Sequence, residues 1–157
     1  MLTVRRVVED DVEALTPLKA EVHASHVTAH PDIFKAMTHD QLARWMRDRL
    51  AEDNTHAWVA EEAGAVLGYA MAAQRSRGET TFSHERAWCE IDEIVVVAHG
   101  RRRGVARALI TRAVQHSQSL GVDDVELTTW AFNAGAQAAF QRMGFRPTIG
   151  RYRRAPG

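Results

Sequence analysis

Hydrophobic and polar positions in the first half of the chain follow strand-like and helix-like periods in turn. They predict a strand, two helices and two further strands, over about 2–8, 12–25, 39–52, 56–61 and 66–74. Asp10 or Asp11 is placed to cap the first helix, and Thr38 with Gln41 forms a capping-box pattern at the start of the second. The last two strands flank a turn at 62–65 and therefore form a hairpin.

The second half of the chain has a strand-helix-strand-helix order. The predicted elements are a strand, a helix, a second strand, a second helix and a final extended segment, over about 87–97, 105–120, 124–130, 134–143 and 145–153. Residues 75–86 have no period and are expected to form a mobile loop with a functional role. The element order predicts one α/β domain over 1–157, with a mixed, mostly antiparallel central sheet flanked by helices.

The composition fits a single globular domain and excludes several classes of protein. Apolar side chains make up 45% of the 157 residues, and 20 acidic side chains balance 20 basic ones. No apolar run approaches the roughly 20 residues that span a bilayer, and no signal peptide follows Met1. A lone cysteine, Cys89, excludes a disulfide framework. We therefore expect a cytoplasmic protein that binds neither membranes nor nucleic acid.

Arginines gather at two places in the chain, 101–103 and 151–154. The first group follows the apolar run Ile94–Val97 and precedes Gly104 and a predicted helix. A helix N-terminus leaves backbone N–H groups unpaired and carries a partial positive charge, so this strand-loop-helix unit predicts an anion site. The alternative is a helix start that is merely flanked by arginines. The glycine patterns of dinucleotide-binding and nucleoside-triphosphate-binding loops are absent.

Two motifs in the second half resemble the GNAT N-acetyltransferase superfamily. The run Arg101-Arg102-Arg103-Gly104-Val105-Ala106 is similar to its R/Q-x-x-G-x-G/A signature, with a predicted strand before it and a helix after it. Downstream, Asn133, Ala136 and the run from Phe140 to Phe145 resemble its N-x-x-A-x-x-(F/Y)-Y-x-x-x-G-F segment. Both motifs occur in the family's order and together cover about residues 87–146.

The resemblance implies acetyl transfer from acetyl-CoA to an amine, with residues 87–146 as the cofactor-binding core and residues 1–86 as the acceptor-side half. It implies that the strands ending at Val97 and Trp130 run parallel and part to form the cofactor cleft. The Val96 N–H would polarise the thioester carbonyl, an oxyanion-type role. The implied cofactor-binding residues are Ile94, Val95, Val96, Arg101, Arg102, Arg103, Gly104, Val105, Ala106, Arg107, Asn133, Ala136 and Phe140.

An amine acceptor needs a base, because a lysine-like amine with a pKa of ~10.4 arrives protonated. Glu90 and Asp92 are the candidates: strand alternation places both on one face of their strand and Glu93 on the other. By resemblance, Glu90 matches the base of histone-type acetyltransferases and Asp92 that of polyamine-type enzymes. The alternative is that one or both acids only pair with arginines such as Arg75 or Arg86.

Phe140 departs from the family pattern, in which many members have a tyrosine that protonates the leaving thiolate. Phenylalanine has no proton to donate, although a thiolate whose thiol has a pKa of ~8.5 is a good leaving group that water could protonate. Slower catalysis, a different acid such as Tyr69 or Tyr152, and loss of activity are the alternatives.

Other side chains have weaker indications of a role. Three histidines share helical spacing but have no further metal ligand, so no metal site is expected: His23, His26 and His30. The candidates for an acceptor site are Trp45, His26, Phe34 and the 75–86 loop. The residues expected to pack in the core or in the walls of the cleft are Cys89, Trp130 and Phe132.

The leading interpretation is an N-acetyltransferase that moves an acetyl group from acetyl-CoA to a primary amine of a small molecule or peptide by direct transfer. The alternative is a non-catalytic acyl-CoA-binding module or sensor. Nucleic-acid binding by the terminal arginines is a third class, and the zero net charge weighs against it. The sequence does not fix the oligomeric state; a homodimer is one possibility, because dimers are the commonest state for such domains.

Overall fold

The computed structural model describes residues 1–157 as five strands and four α-helices. The strands are β1 (Thr3–Arg6), β2 (Thr55–Glu62), β3 (Ala65–Arg77), β4 (Arg86–Val96) and β5 (Val125–Leu127), and the helices are α1 (Val12–Ala29), α2 (His39–Ala51), α3 (Val105–Ser119) and α4 (Ala134–Arg142). The predicted capping box is present: Thr38 Oγ1 accepts from the Gln41 N–H at 3.2 Å, and Gln41 Oε1 accepts from the Thr38 N–H at 2.9 Å. None of the helices has both the length and the apolar character needed to cross a bilayer.

One sheet, in the order β1-β2-β3-β4-β5, organises the fold. Strands β1 to β4 pair antiparallel, whereas β5 pairs parallel to β4 only from Cys89–Val125 to Ile91–Leu127. Residues 92–96 of β4 continue beyond that contact, so the two parallel strands part after Ile91. This confirms the mixed, mostly antiparallel sheet and the cleft between two parallel strands.

Four boundaries differ from the sequence prediction. The predicted 75–86 loop is shorter, because β3 and β4 pair out to Arg77 and Arg86. Helix α1 extends to Ala29. Strand β5 ends at Leu127 rather than at Trp130, because its pairing stops where the strands part. Residues 145–153 form no strand, since no backbone hydrogen bond within the chain involves residues 146–157.

Each face of the sheet carries its own apolar core. Helices α3 and α4 cover the face that contains Trp58 and Ala60, whereas α1 and α2 cover the face that contains Ala57 and Val59. Successive strand residues therefore go to opposite cores. Because both faces are covered, the central strands are apolar at nearly every position, which explains the continuous hydrophobic runs in the sequence.

Two half-buried histidines flank Arg6 where β1, β2 and α3 meet. Arg6 donates to His56 Nδ1 at 3.2 Å and to His116 Nδ1 at 3.4 Å, which requires neutral rings because arginine can only donate. Burial is the main cause that lowers the pKa of both histidines. Arg6 lowers the pKa of His56 further, and His56, Arg6 and Arg112 lower that of His116.

These lowered pKa values predict a loss of stability in mild acid. A histidine whose pKa in the folded state lies below the ordinary 6.5 binds fewer protons there than in the unfolded chain. The free energy of unfolding is therefore expected to have its full value above about pH 6.5 and to decrease as the pH drops below that value. Urea unfolding of the double variant His56→Gln, His116→Gln should depend less on pH than that of the wild type. His84→Gln, in an exposed loop, is the control, and an equal dependence in all three proteins would contradict this account.

Candidate functional site

Strand β4 contains a bulge at the point where it leaves β5. Met71 of β3 pairs with Glu93, and the next residue, Ala72, pairs with Ile91, so Asp92 is an extra residue without a partner on β3. An extra residue reverses the alternation of side chains along the rest of the strand. The bulge thus determines which apolar core each later side chain faces and which backbone N–H groups point toward the cleft.

Because of the bulge, Asp92 and Glu93 both lie on the face that α1 and α2 cover. Glu93 contacts Lys19 of α1, and Asp92 contacts Arg49 of α2. The sequence prediction placed Glu93 on the opposite face from Glu90 and Asp92. That prediction was wrong, because regular alternation does not continue across a bulge.

The two candidate bases differ in their partners. Asp92 accepts from Arg49 at 2.9 Å and lies 3.4 Å from Arg75, with its side chain 22% exposed. Glu90 accepts one hydrogen bond, from Trp88 Nε1 at 2.9 Å, and has no cationic partner. The predicted alternative of pairing with Arg75 therefore holds for Asp92 and not for Glu90.

Glu93 belongs to a half-buried group on the face of the sheet that α1 and α2 cover. Lys19 Nζ lies 2.6 Å from Glu93 Oε1 and 4.7 Å from the centre of the Trp45 ring. Tyr69 is fully buried nearby, and burial raises the pKa of its phenol, with the charge of Glu93 adding to the rise. Tyr69 is therefore a weaker acid than an exposed tyrosine.

The unpaired part of β4 turns backbone groups toward the cleft. The Val97 N–H donates to the Leu67 carbonyl at 2.9 Å on the β3 side. The Val96 N–H therefore points to the opposite edge, because neighbouring N–H groups in a strand alternate between edges. Ile94 has the same orientation as Val96, and no strand covers that edge beyond Leu127. An extended ligand can pair with such an edge.

The loop before α3 offers a run of free donors. None of the backbone N–H groups of residues 102–107 donates a hydrogen bond within the chain. Gly104 caps α3 with a φ of 82°, and Arg102 has a φ of 59°. A Cβ atom on Gly104 would meet nothing within 4 Å, so the space in front of the helix is open. Free donors at the positive end of a helix suit a phosphate group.

The arginines around this loop differ in availability. Arg103 forms an ion pair with Glu62 at the end of β2. The side chains of Arg101, Arg102 and Arg107 are exposed and make no hydrogen bond or ion pair within the chain. These three are free to contact an anion.

Beyond β5, Asn133 starts α4. Its Oδ1 accepts from the Ala136 N–H at 3.2 Å, which leaves the side-chain NH₂ group available.

Phe140 is only 8% exposed and packs in the core against Phe145. The structure thus leaves Phe140 little surface for a cofactor. Cys89 lies in the core, as expected, and burial raises the pKa of its thiol.

Aromatic rings from the two halves of the chain meet beyond the end of β5. Trp130 and Phe132 pack on the end of α1 and the residues after it, rather than under the sheet. Their ring centres lie 5.1 to 6.4 Å from those of their partners. We call this group the aromatic cluster: His23, His26, His30, Phe34, Trp130 and Phe132. No local pattern links its two parts, and the sequence indicated only Phe34 and His26 as acceptor-site candidates.

The fold and the site together define a class of protein. The sheet opens between two parallel strands, with a bulged strand on one side and an unpaired helix N-terminus at the opening, and solved acetyltransferases superpose on this fold. The chain belongs to the Acetyltransferase (GNAT) family, whose model matches residues 20–145. The resemblance in the two sequence motifs is thereby confirmed.

Similar proteins carry related names. N-acetyltransferase 8 of Homo sapiens is 30% identical over 99 residues, which are 63% of this chain and 42% of the relative. The chain spans less than half the length of the curated relatives that it matches.

Two solved structures superpose over nearly the whole chain. A tetramutant of the BH1408 protein from Bacillus halodurans has a TM-score of 0.91 at 18% identity, covering 98% of this chain and 99% of that chain. The aminoglycoside N-acetyltransferase AAC(6')-Iy in complex with CoA has a TM-score of 0.77 at 20% identity, covering 98% and 95%. At these identities the likeness shows the fold alone.

Proposed function

We propose that this chain is an acetyl-CoA-dependent N-acetyltransferase that moves an acetyl group to a primary amine of a small molecule or peptide by direct transfer. Two features at one opening carry the proposal: the uncovered edge of β4 and the free N–H donors at the start of α3. The edge suits the extended pantetheine arm of the cofactor, and the donors suit its pyrophosphate. Membership of the GNAT family, and the CoA complex of AAC(6')-Iy, support this proposal.

Residues 87–146 form the cofactor-binding core in this proposal, and residues 1–86 form the acceptor-side half. Bound acetyl-CoA supplies an acetyl group activated as a thioester. The N–H groups of 102–107 hold the pyrophosphate with Arg101 beside them. The backbone of 94–96 pairs with the arm, and the free NH₂ group of Asn133 reaches it from the other side of the cleft.

Glu90 acts as the base in this mechanism. It is the one carboxylate of the three on its face that has no cationic partner, so its Oε1 is free to accept a proton from the amine, directly or through water. Asp92 is the second candidate, but its carboxylate already forms ion pairs with two arginines. The Val96 N–H donates to the carbonyl oxygen on which negative charge develops.

Water protonates the leaving thiolate in this proposal. Phe140 has no proton to donate, Tyr69 is fully buried, and Tyr152 is 98% exposed on the C-terminal segment. A thiol with a pKa of ~8.5 leaves readily without a strong acid. The second candidate function, a non-catalytic acyl-CoA-binding module, is motivated by the same Phe140.

A cytoplasmic location is part of the proposal. Cys89 is a free, buried thiol, and burial raises its pKa. The chain therefore has neither a disulfide nor an exposed thiolate, which suits a reducing compartment.

A homodimer also belongs to the proposal, with the C-terminal segment of each copy on the β5 edge of the other. That segment makes no backbone hydrogen bond in its own chain, and it exposes Ile149 by 88% and Tyr152 by 98%. The outer edge of β5 has no partner strand. Residues 146–154 contain no acid and four arginines, of which Arg153 pairs with Asp32 in its own chain; Asp123, Asp124 and Glu126 surround β5, and Arg86 pairs with the last two.

The proposed dimer predicts that mutations in the C-terminal segment lower the mass of the protein in solution. Ile149→Asp with Tyr152→Asp should convert the dimer to a monomer in light scattering coupled to gel filtration, because charged groups cannot be buried without partners. Phe82→Asp is the matched control, since Phe82 is 97% exposed in the β3–β4 loop. A wild-type chain that elutes as a monomer would contradict the dimer.

Removal of Arg101 tests the cofactor site. Arg101→Ala should weaken CoA binding about tenfold, because one charge-assisted hydrogen bond to phosphate contributes about 1.5 kcal/mol. The remaining affinity should depend less on salt. Isothermal titration calorimetry measures both effects, and Arg77→Ala, another exposed arginine, is the control. Unchanged affinity for CoA would remove the anion site from this loop.

Removal of the base distinguishes an N-acetyltransferase from a non-catalytic acyl-CoA-binding module. Glu90→Gln should lower kcat roughly 10²-fold or more with CoA affinity unchanged, because a positioned base contributes at least that much. Glu85→Gln, in the exposed loop, is the control, and thiol release with a panel of primary amines is the assay. A large loss in Asp92→Asn but not in Glu90→Gln would assign the base to Asp92. Tight CoA binding with no transfer to any amine would favour the binding module.

A further inference from the structure

The aromatic cluster presents ring surfaces that the chain leaves partly open. Trp130 is 38% exposed and Phe132 is 39% exposed, although each contacts several other rings. Trp58 and Tyr69, which pack in the two cores, are by contrast almost fully buried. An open group of rings held in fixed geometry is instead a surface for another flat, apolar group.

The cluster lies beside the cleft. Trp130 and Phe132 occupy the segment that leads from β5, where the parallel strands part, to the start of α4. On α1, His26 follows Lys19 by seven residues and so lies two turns further along the same helix face, about 10 Å away. Lys19 contacts Glu93 at the bulge. A small molecule can therefore touch the cluster at one end and the bulge of β4 at the other.

The cluster contains no lysine, arginine or carboxylate among its members. The ring of His26 donates from Nδ1 to the Val22 carbonyl at 2.8 Å, which leaves Nε2 as an acceptor when the ring is neutral. None of the cation–π contacts of the chain involves a cluster ring. The neighbouring Asp32 is held by Arg153 at 2.6 Å. Such a surface suits an uncharged aromatic group better than a phosphate or a carboxylate.

We propose that the aromatic cluster binds the acceptor, and that the acceptor is a primary amine joined by a short chain to an aromatic ring. This inference rests on the proposed function, because that function makes the ligand of this side an amine. The substrate ring packs against Trp130 and Phe34, and its amine reaches toward the carboxylates of β4. Edge-to-face and tilted contacts, as already seen between Phe34, His30 and Trp130, are the geometry that a further aromatic ring prefers.

A pair of amines of similar size tests the preference for an aromatic ring. 4-Phenylbutylamine and 4-cyclohexylbutylamine differ in the π system but little in size. The phenyl compound should have a KM roughly threefold to tenfold lower, the range expected for one aromatic pair. An aliphatic diamine is the third substrate, because it would respond to ring faces only through its charge.

Variants of the cluster should remove this preference. Trp130→Leu and Phe34→Leu are each expected to bring the two KM values together. Phe82→Leu, which removes an exposed ring far along the chain from the cluster, should leave the preference unchanged. Calorimetry with CoA reports whether each variant keeps the fold of the cofactor side.

Failure of the inference is distinguishable from failure of the proposed function. Equal KM values for the phenyl and cyclohexyl amines, or a preference for the diamine, would overturn the aromatic acceptor while acetyl transfer stands. If no amine is acetylated, the proposed function is wrong. Tryptophan fluorescence then tests whether the aromatic cluster binds the phenyl amine. Saturable quenching by the phenyl amine that is lost in Trp130→Leu would support the binding surface, and its absence would overturn it.

Discussion

The extra residue in β4 is the constraint on which the site depends. Before the bulge, the Cys89 N–H donates to the Asp124 carbonyl at 2.8 Å and so holds the segment that begins β5. After it, the Val96 N–H faces that same edge but finds no strand there. Without the bulge, Val95 would take this edge instead, and the Val96 side chain would leave the core that α3 covers. One inserted residue therefore turns the Val96 N–H to the open edge and keeps its side chain in the core.

The bulge also has an electrostatic consequence, because it places Asp92 and Glu93 on one face of the sheet. Cations from three different elements balance them: Lys19 from α1, Arg49 from α2 and Arg75 from β3. Exposed ion pairs contribute little to stability, but the Lys19–Glu93 pair is only 15% and 17% exposed. These contacts fix the two N-terminal helices against the open strand.

The sequence predicted the element order, the capping of α2 and the loop before α3, because local periodicity and helix-end chemistry decide these features. It misplaced Glu93, because a bulge depends on pairing with a strand that lies elsewhere in the sequence. It missed most of the aromatic cluster for a similar reason: His26 and Trp130 are far apart in the chain, and no period connects them. The strand expected at 145–153 does not form: the backbone of residues 146–153 makes no hydrogen bond within the chain, although the outer edge of β5 is unpaired.

The parallel contact between β4 and β5 consists of three residue pairs, whereas β3 and β4 pair along most of their length. A ladder this short opens locally at a small fraction of the global unfolding free energy. One wall of the cleft is therefore held by a long ladder and the other by a short one. A ligand that bridges the two walls would act as an additional strand and stiffen the molecule, so the loaded protein should fluctuate less than the empty one.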